Sequence, residues 1–312
     1  MATGRDYIDG AEMCQDEPRA DAAGALTIGG DLVVNRIGFG ALRLVGDHAR
    51  GAHNDPERCR AVLKALASLD INLIDTSDAY GPFLSEEMIG DTLAPYTPET
   101  VIATKGGTVM EGERTVIRDG TPAHLRNSCE GSLRRLKVER IDLYQLHHVD
   151  PKVPLPESVG ALDTLRREGK IRHIGLSNVT AAQLGIALDT APIAAVQNRY
   201  NVVDQGCQEV LDICEQRGIA FLASQPLGGI RSLLAGVDPV RRVAERHGTT
   251  ESQIAIAWLL ARSESLVAIP GTASLDHLVD NVRAAALRLS KEDFAELATV
   301  PQIPWRSPSA IV

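Results

Sequence analysis

Hydrophobic positions along this chain fall into two alternating kinds of run. Short aliphatic and β-branched stretches occur at 35–40, 72–76, 101–105, 141–147, 173–177, 194–198, 220–224 and 266–270. Between them apolar residues recur at helical spacing, as in Val159, Leu162 and Leu165, a face that Gly169 terminates. Start signals agree. Thr180 to Gln183 and Thr250 to Gln253 fit capping boxes, in which each side chain satisfies the other residue's exposed N–H. Thr121 followed by Pro122 supplies a cap and a pre-set φ. Eight strand–helix repeats with nearly all-apolar strands predict a parallel sheet covered by helices. No linker-like stretch divides the chain. A single α/β (β/α)8 TIM barrel over 25–312 therefore fits better than two doubly wound domains. Residues 26–28 and 32–34, split by Gly29-Gly30-Asp31, predict a short N-terminal β-hairpin, and the polar, aperiodic residues 1–24 read as a loose arm.

Composition excludes several classes. At 312 residues the chain buries enough surface to fold without a metal or disulfide staple. Its five cysteines are scattered, with no Cys-x-x-Cys, and read as reduced thiols. A net charge of −9 repels phosphate backbones and anionic headgroups, so neither nucleic acid nor a membrane surface is an expected partner. No apolar run approaches the roughly 20 residues that span a bilayer. Arg5, Asp6, Asp9 and Glu12 stand where a signal peptide needs its apolar segment, so a cytoplasmic location is expected. Oligomeric state is not legible. Aromatic residues make up only 4%, which predicts an aliphatic core and makes each functional ring easy to name.

Barrel active sites lie at the C-terminal ends of the strands. The second strand ends in Asp75, with Tyr80 on the loop beyond it; Lys105 ends the third and His147 the fourth. Adjacent strands lie about 4.8 Å apart, so these side chains can converge on one mouth. The chemistry they suggest is proton donation. An adjacent ammonium is expected to lower the tyrosine pKa, the carboxylate to hold the ammonium, and the imidazole to bind a substrate oxygen. Taken singly, a strand-end Asp or Lys is a structural ion pair; the joint pattern favours function.

Six segments then resemble, in order, the motif series of the aldo-keto reductases. They are Gly38-Phe-Gly-Ala-Leu-Arg-Leu44, Ile74-Asp-Thr-Ser-Asp-Ala-Tyr-Gly81, Ala103-Thr-Lys-Gly106, Asp142-Leu-Tyr-Gln-Leu-His147, Gly175-Leu-Ser-Asn178 and Gln197-Asn-Arg-Tyr-Asn201. Within that family, Asn178-Val-Thr180, Pro226-Leu-Gly-Gly229 and Ile269-Pro-Gly-Thr272 look closest to bacterial pyridoxal reductase (pyridoxine 4-dehydrogenase)-like members. The resemblance implies a barrel that reduces an aldehyde or ketone with NADPH. Tyr80 would be the general acid, Lys105 and Asp75 its tuning pair, and His147 the residue that orients the carbonyl. Ser177, Asn178 and Gln197 match positions that hold the nicotinamide carboxamide. Ser224, Pro226 and Leu227 match cofactor positions after the seventh strand, and Gly271, Thr272, His277 and Asn281 those after the eighth. Two departures stand out. Ser224 replaces the aromatic ring that usually stacks on nicotinamide, and Gly271, Thr272 and His277 replace the usual Lys, Ser and Arg of the 2′-phosphate site. NADPH is the expected cofactor and NADH the alternative.

Phe83 and Trp305 are the candidate substrate-wall aromatics, and a pyridoxal-like or other ring-bearing aldehyde is the expected substrate. A ketone of a specialised biosynthetic pathway is the alternative. Three other readings fare worse. A Rossmann domain lacks the third glycine after Gly38-Phe-Gly40. No metal is expected, because His147 and His148, as strand neighbours, point to opposite faces, and His173 begins its strand far below. A nicotinamide-binding redox-sensing partner protein would not need the intact tetrad.

Overall fold

The computed structural model describes residues 7–8, 11–12, 18–46, 54–111, 115–228 and 237–303. Two short antiparallel strands, β1 (Tyr7–Ile8) and β2 (Ala11–Glu12), precede the hairpin of β3 (Ala25–Ile28) and β4 (Leu32–Asn35). The barrel strands and their helices then alternate. They are β5 (Phe39–Gly40), α1 (Pro56–Ala65), β6 (Leu73–Asp75), α2 (Leu84–Leu93) and β7 (Val101–Gly106). An antiparallel hairpin follows β7, made of β8 (Thr108–Glu111) and β9 (Thr115–Arg118). The second half runs α3 (Pro122–Leu136), β10 (Ile141–Leu146), α4 (Leu155–Arg167), β11 (Ile171–Ser177), α5 (Ala181–Leu188), β12 (Ile193–Arg199), α6 (Gln208–Arg217) and β13 (Ala220–Ser224). It ends with α7 (Asp238–His247), α8 (Glu251–Arg262), β14 (Leu266–Ala268), α9 (Leu275–Arg283) and α10 (Lys291–Leu297).

Eight of these strands pair in parallel, in the order β14-β13-β12-β11-β10-β7-β6-β5. A parallel bridge from Ile37 to Ala268 closes the ring, with Gly38 N donating to the Ala268 carbonyl at 2.9 Å. The predicted (β/α)8 barrel and its N-terminal hairpin are thus both present. Residues 20–23, read from sequence as the end of an arm, form a 3-10 turn with Ala20 fully buried.

Two apolar layers hold the barrel. The inner one is small and aliphatic: Leu73, Val101, Ala103, Leu143, Ala195, Leu222 and Val267, plugged from below by Ile28, Leu32 and Val34 of the hairpin. The outer layer, between strands and helices, takes most of the scarce rings, including Phe39, Tyr144, Tyr200, Phe221 and Trp258. Caps behave largely as the sequence suggested. Thr121 accepts from His124 N, and Thr180 with Gln183 forms a full capping box. Thr250 also caps α8, but the Gln253 side chain turns away to donate to the Asp280 carbonyl and carboxylate, so the expected second box is only half formed.

The α2–α3 contact depends on Gly90. A Cβ built there would lie 2.1 Å from the Arg135 carbonyl oxygen. Gly90→Ala should therefore push the helices apart and cost about 1–3 kcal/mol, more than the helix propensity of alanine returns. Denaturant unfolding measures it, and an unchanged or raised midpoint would refute this packing account. Among the described residues, no helix is long and apolar enough to cross a membrane.

Candidate active site

The C-terminal ends of β6 and β7 place a carboxylate beside an ammonium in the middle of the barrel. Both side chains are buried, Lys105 completely. Lys105 Nζ donates to Asp75 Oδ1 and Oδ2 at 2.9 and 2.8 Å and to the Thr76 carbonyl at 2.8 Å. Its remaining neighbour is Tyr80 Oη at 3.4 Å. Asp75 Oδ1 also accepts from Gln145 Nε2 at 3.0 Å and Gln197 Nε2 at 2.7 Å. Gln145 faces inward on the same side of β10 as Leu143, and its neighbour on β11, Gly175, leaves it room: a Cβ there would stand 2.7 Å from Gln145 Cγ. A carboxylate with this many donors stays where it is, and it holds the ammonium in turn.

Burial governs the protonation states. Desolvation opposes the charge on Lys105, but the Asp75 carboxylate and Tyr80 outweigh it and lift the ammonium's pKa above its ordinary value. For Tyr80 the sequence expectation is corrected. Desolvation outweighs the lowering by Lys105, and the phenol's pKa lies above its ordinary value. The phenol is therefore protonated at neutral pH, the state a proton donor needs. His147, on the far side of Tyr80 at 5.9 Å between ring centroids, is held well below the usual imidazole range by burial, then by His148 and Lys105. It is a neutral imidazole with Nδ1 against Ser77 Oγ at 3.1 Å, which leaves Nε2 as the nitrogen for the cavity.

These groups open into a cavity of about 390 Å³. One wall is Ser177, Asn178 and Gln197; another is Ser224, Gln225, Pro226 and Leu227; Ile269, Pro270 and Gly271 complete the barrel rim, and Thr108, Met110 and Val116 of the β8–β9 hairpin lean over the opening. Ser177 and Gln197 are register partners. Ser177 Oγ accepts from Asn178 Nδ2 at 3.0 Å, so its own hydrogen is available, whereas Gln197 has spent Nε2 on Asp75 and keeps Oε1. One donor and one acceptor side by side are the complement of a primary carboxamide. Asn178 itself sits at φ +57° and also donates Nδ2 to the His147 carbonyl at 3.1 Å, so its amide nitrogen is engaged within the protein.

Comparison with known proteins agrees with this geometry. The aldo/keto reductase family model matches residues 36–301. The chain belongs to the aldo/keto reductase family. It is thereby an NAD(P)H-dependent oxidoreductase. An uncharacterised oxidoreductase of Schizosaccharomyces pombe is 44% identical over 280 residues, covering 89% of this chain and 90% of that protein. Pyridoxine 4-dehydrogenase of Escherichia coli is 35% identical over 270 residues, covering 85% of this chain and 94% of that one. Among solved structures, an aldo/keto reductase from Klebsiella pneumoniae in complex with NADP and acetate superimposes with a TM-score of 0.76 at 28% identity, covering 90% of this chain and 97% of the other.

Several positions of this aldo/keto reductase differ from what its sequence suggested. His148 lines the cavity together with His147, the rings stacked at 4.8 Å and 25°. The alternation rule fails for this pair because β10 stops at Leu146, one residue before it applies. Phe83 is not among the residues lining the cavity; it is half exposed, and its ring packs on the Arg135 guanidinium at 4.3 Å. Trp305 lies outside the described residues. Thr272, His277 and Asn281 follow Gly271 away from the cavity, with Thr272 Oγ1 accepting from Ser274 N at 3.0 Å, His277 exposed and Asn281 buried. Sequence reasoning missed Gln145, which reads as one more strand polar residue, and Arg43, whose Cγ would lie 3.4 Å from a Cβ on Gly271. The ring missing at Ser224 has no stand-in among the described lining residues, whose only rings are Tyr80, His147 and His148.

Proposed function

We propose that this enzyme reduces a ring-bearing aldehyde of pyridoxal type with NADPH. Tyr80 is the general acid, Lys105 and Asp75 fix and tune it, and His147 holds the carbonyl oxygen. The observation that carries this reading is the short path from Asp75 through Lys105 Nζ to a protonated Tyr80 Oη beside a neutral imidazole. When bound, NADPH supplies the hydride. Ser177 and Gln197 would hold its carboxamide by the donor–acceptor pair described above, Pro226, Leu227 and Gly271 would border it, and Thr272, His277 and Asn281 would lie toward its adenosine end. Tyr80 gives its proton to the carbonyl oxygen as charge develops there, and Lys105 stabilises the phenolate left behind.

Two features support a flat substrate: the stacked His147–His148 pair borders the cavity, and Leu42, Ala79, Met110 and Val116 add apolar lining to it. The named activity of the Escherichia coli relative is consistent with it. A panel of aldehydes with NADPH tests the idea. Pyridoxal and benzaldehyde-like compounds should exceed aliphatic and sugar carbonyls in kcat/KM, and the reverse order would remove the ring-bearing substrate.

Ser224 yields a second expectation. Because no ring faces the nicotinamide position, Ser224→Tyr should tighten NADPH about two- to tenfold, the usual value of one added stacking contact. Fluorescence titration of wild type and variant with NADPH and NADH measures it; equal or weaker binding by the variant would count against this placement of the cofactor ring.

A further inference from the structure

Behind His147 lies a buried chain of polar groups that proton donation by Tyr80 does not use. Ser77 Oγ contacts three partners: His147 Nδ1 at 3.1 Å, Asp78 Oδ1 at 3.2 Å and the Ala79 N–H at 3.1 Å. The second oxygen of Asp78 accepts from Ser128 Oγ on α3. Ser77 and Ser128 are buried, and Asp78 is only 4% exposed.

A hydroxyl has one hydrogen and two lone pairs, and the Ala79 N–H always occupies one lone pair. That leaves two fully satisfied arrangements. With Asp78 ionised, Ser77 donates to the carboxylate and accepts from His147 Nδ1–H, so Nε2 presents a bare lone pair to the cavity. With Asp78 protonated, its O–H donates to Ser77, Ser77 donates to His147 Nδ1, and the ring proton sits on Nε2. The two arrangements differ by a single proton, taken up or released at Asp78. The imidazole is neutral in both.

We propose that Asp78 is a positioning residue that selects the tautomer of His147 through Ser77, so that a protonated Asp78 arms Nε2–H to hold the substrate oxygen. This rests on the reading of His147 given above, because only an oxygen that gains negative charge in the reaction needs a donor there. Ionisation of Asp78 turns the donor into an acceptor and removes it from the transition state.

The surroundings place this switch in a useful range. Burial raises the Asp78 carboxyl to about 7; hydrogen bonds from Ser128 and Ser77 and the Arg135 guanidinium pull it down, while the Glu86 carboxylate pushes it up. Tyr144 of β10 and Tyr80 are the titratable hydroxyls that also feel its charge, and both stay protonated. On the imidazole side, His148 stacks on His147, and Lys105 carries the nearby positive charge. Carbonyl reduction should thus weaken as pH rises through neutrality, well below the range in which Tyr80 itself loses its proton.

Two measurements test the relay. The first uses the ligand-free, 15N-histidine-labelled protein, in which ring-nitrogen shifts report the His147 tautomer without any turnover. Wild type should carry the proton on Nε2 at about pH 6 and on Nδ1 at about pH 9, on either side of a carboxyl that titrates near neutrality. Asp78→Asn, with its amide oxygen kept toward the donating Ser128 hydroxyl and its NH2 toward Ser77, should keep it on Nε2 throughout. The second is the pH profile of aldehyde reduction with NADPH. Losing one oxyanion donor costs about 10²- to 10³-fold, so wild-type kcat/KM should fall by up to about a hundredfold across the same window, the limit set by the fraction of Asp78 still protonated at its upper end, and Asp78→Asn should stay flat. Should Asp78→Asn fail to fold, Ser77→Ala cuts the relay and should likewise abolish the pH-dependent tautomer change. A wild-type tautomer that does not change with pH, or one that changes identically in the folded variants, overturns the proposal. Failure of the enzymatic reading looks different: wild type would then reduce no aldehyde, while the tautomer measurement would still stand on its own.

Discussion

Tyr80→Phe is expected to cut aldehyde reduction by about 10²- to 10⁴-fold in kcat/KM while leaving NADPH binding and the fold intact, because it removes the general acid alone. The geometry makes the substitution clean. Lys105 Nζ has three hydrogens, and the two Asp75 oxygens with the Thr76 carbonyl lie at 2.8–2.9 Å, against 3.4 Å to Tyr80 Oη. Losing the hydroxyl therefore leaves no buried donor without a partner, and Tm should move by less than about 2 °C, as for a change that costs under about 0.5 kcal/mol. Steady-state kinetics, an NADPH titration and a thermal scan on one preparation separate these effects. Retention of more than about a tenth of wild-type kcat/KM would move the proton donor elsewhere, since a positioned acid contributes at least about a hundredfold.

Glu86→Ala should produce the largest loss of stability. Glu86 is fully buried on the first turn of α2 and joins three elements: Thr104 Oγ1 of β7 donates to it at 2.6 Å, and Arg135 Nε of α3 donates at 2.7 Å. Truncation leaves a partly buried guanidinium and a buried hydroxyl short of their acceptor. Breaking a buried pair from one side costs about 3–5 kcal/mol, which lowers Tm by roughly 5–8 °C in a chain of this size. Glu86→Gln, which keeps an acceptor for Thr104, should lose less. A thermal scan that finds Glu86→Ala within about 2 °C of wild type would show that the pair stabilises nothing net.

Neither Glu86 nor its partners could be singled out from the sequence. Glu86 reads as an ordinary acidic residue in a helix's first turn, where it favours the helix dipole. Its burial depends on how α2 is rotated over the barrel, and the residue that permits that approach is Gly90, four positions on. Asp78 is similar: it lies inside a recognisable motif, yet its contact with Ser128 comes from a helix 50 residues later. Phe83 misled for the same reason. An aromatic on an active-site loop looks like a pocket wall, but its backbone takes φ +71° and its ring finds Arg135 instead.

Strand content and strand order were readable because β periodicity and turn chemistry are local. From them Asp75, Lys105 and His147 could be assigned to neighbouring rim positions and Tyr80 to the loop between, since consecutive strands of a parallel barrel pair in chain order. Protonation was not readable. The sequence puts an ammonium beside a phenol and so suggests a lowered tyrosine pKa; only the packed structure reveals how much water is lost there, and desolvation decides the sign. The same division holds for the rings of this aromatic-poor chain. Their scarcity and the absence of one at Ser224 are facts of composition and order along the chain. That His147 and His148 both face the cavity, stacked, is decided by where β10 stops, because side-chain alternation holds only while the strand's hydrogen bonds do.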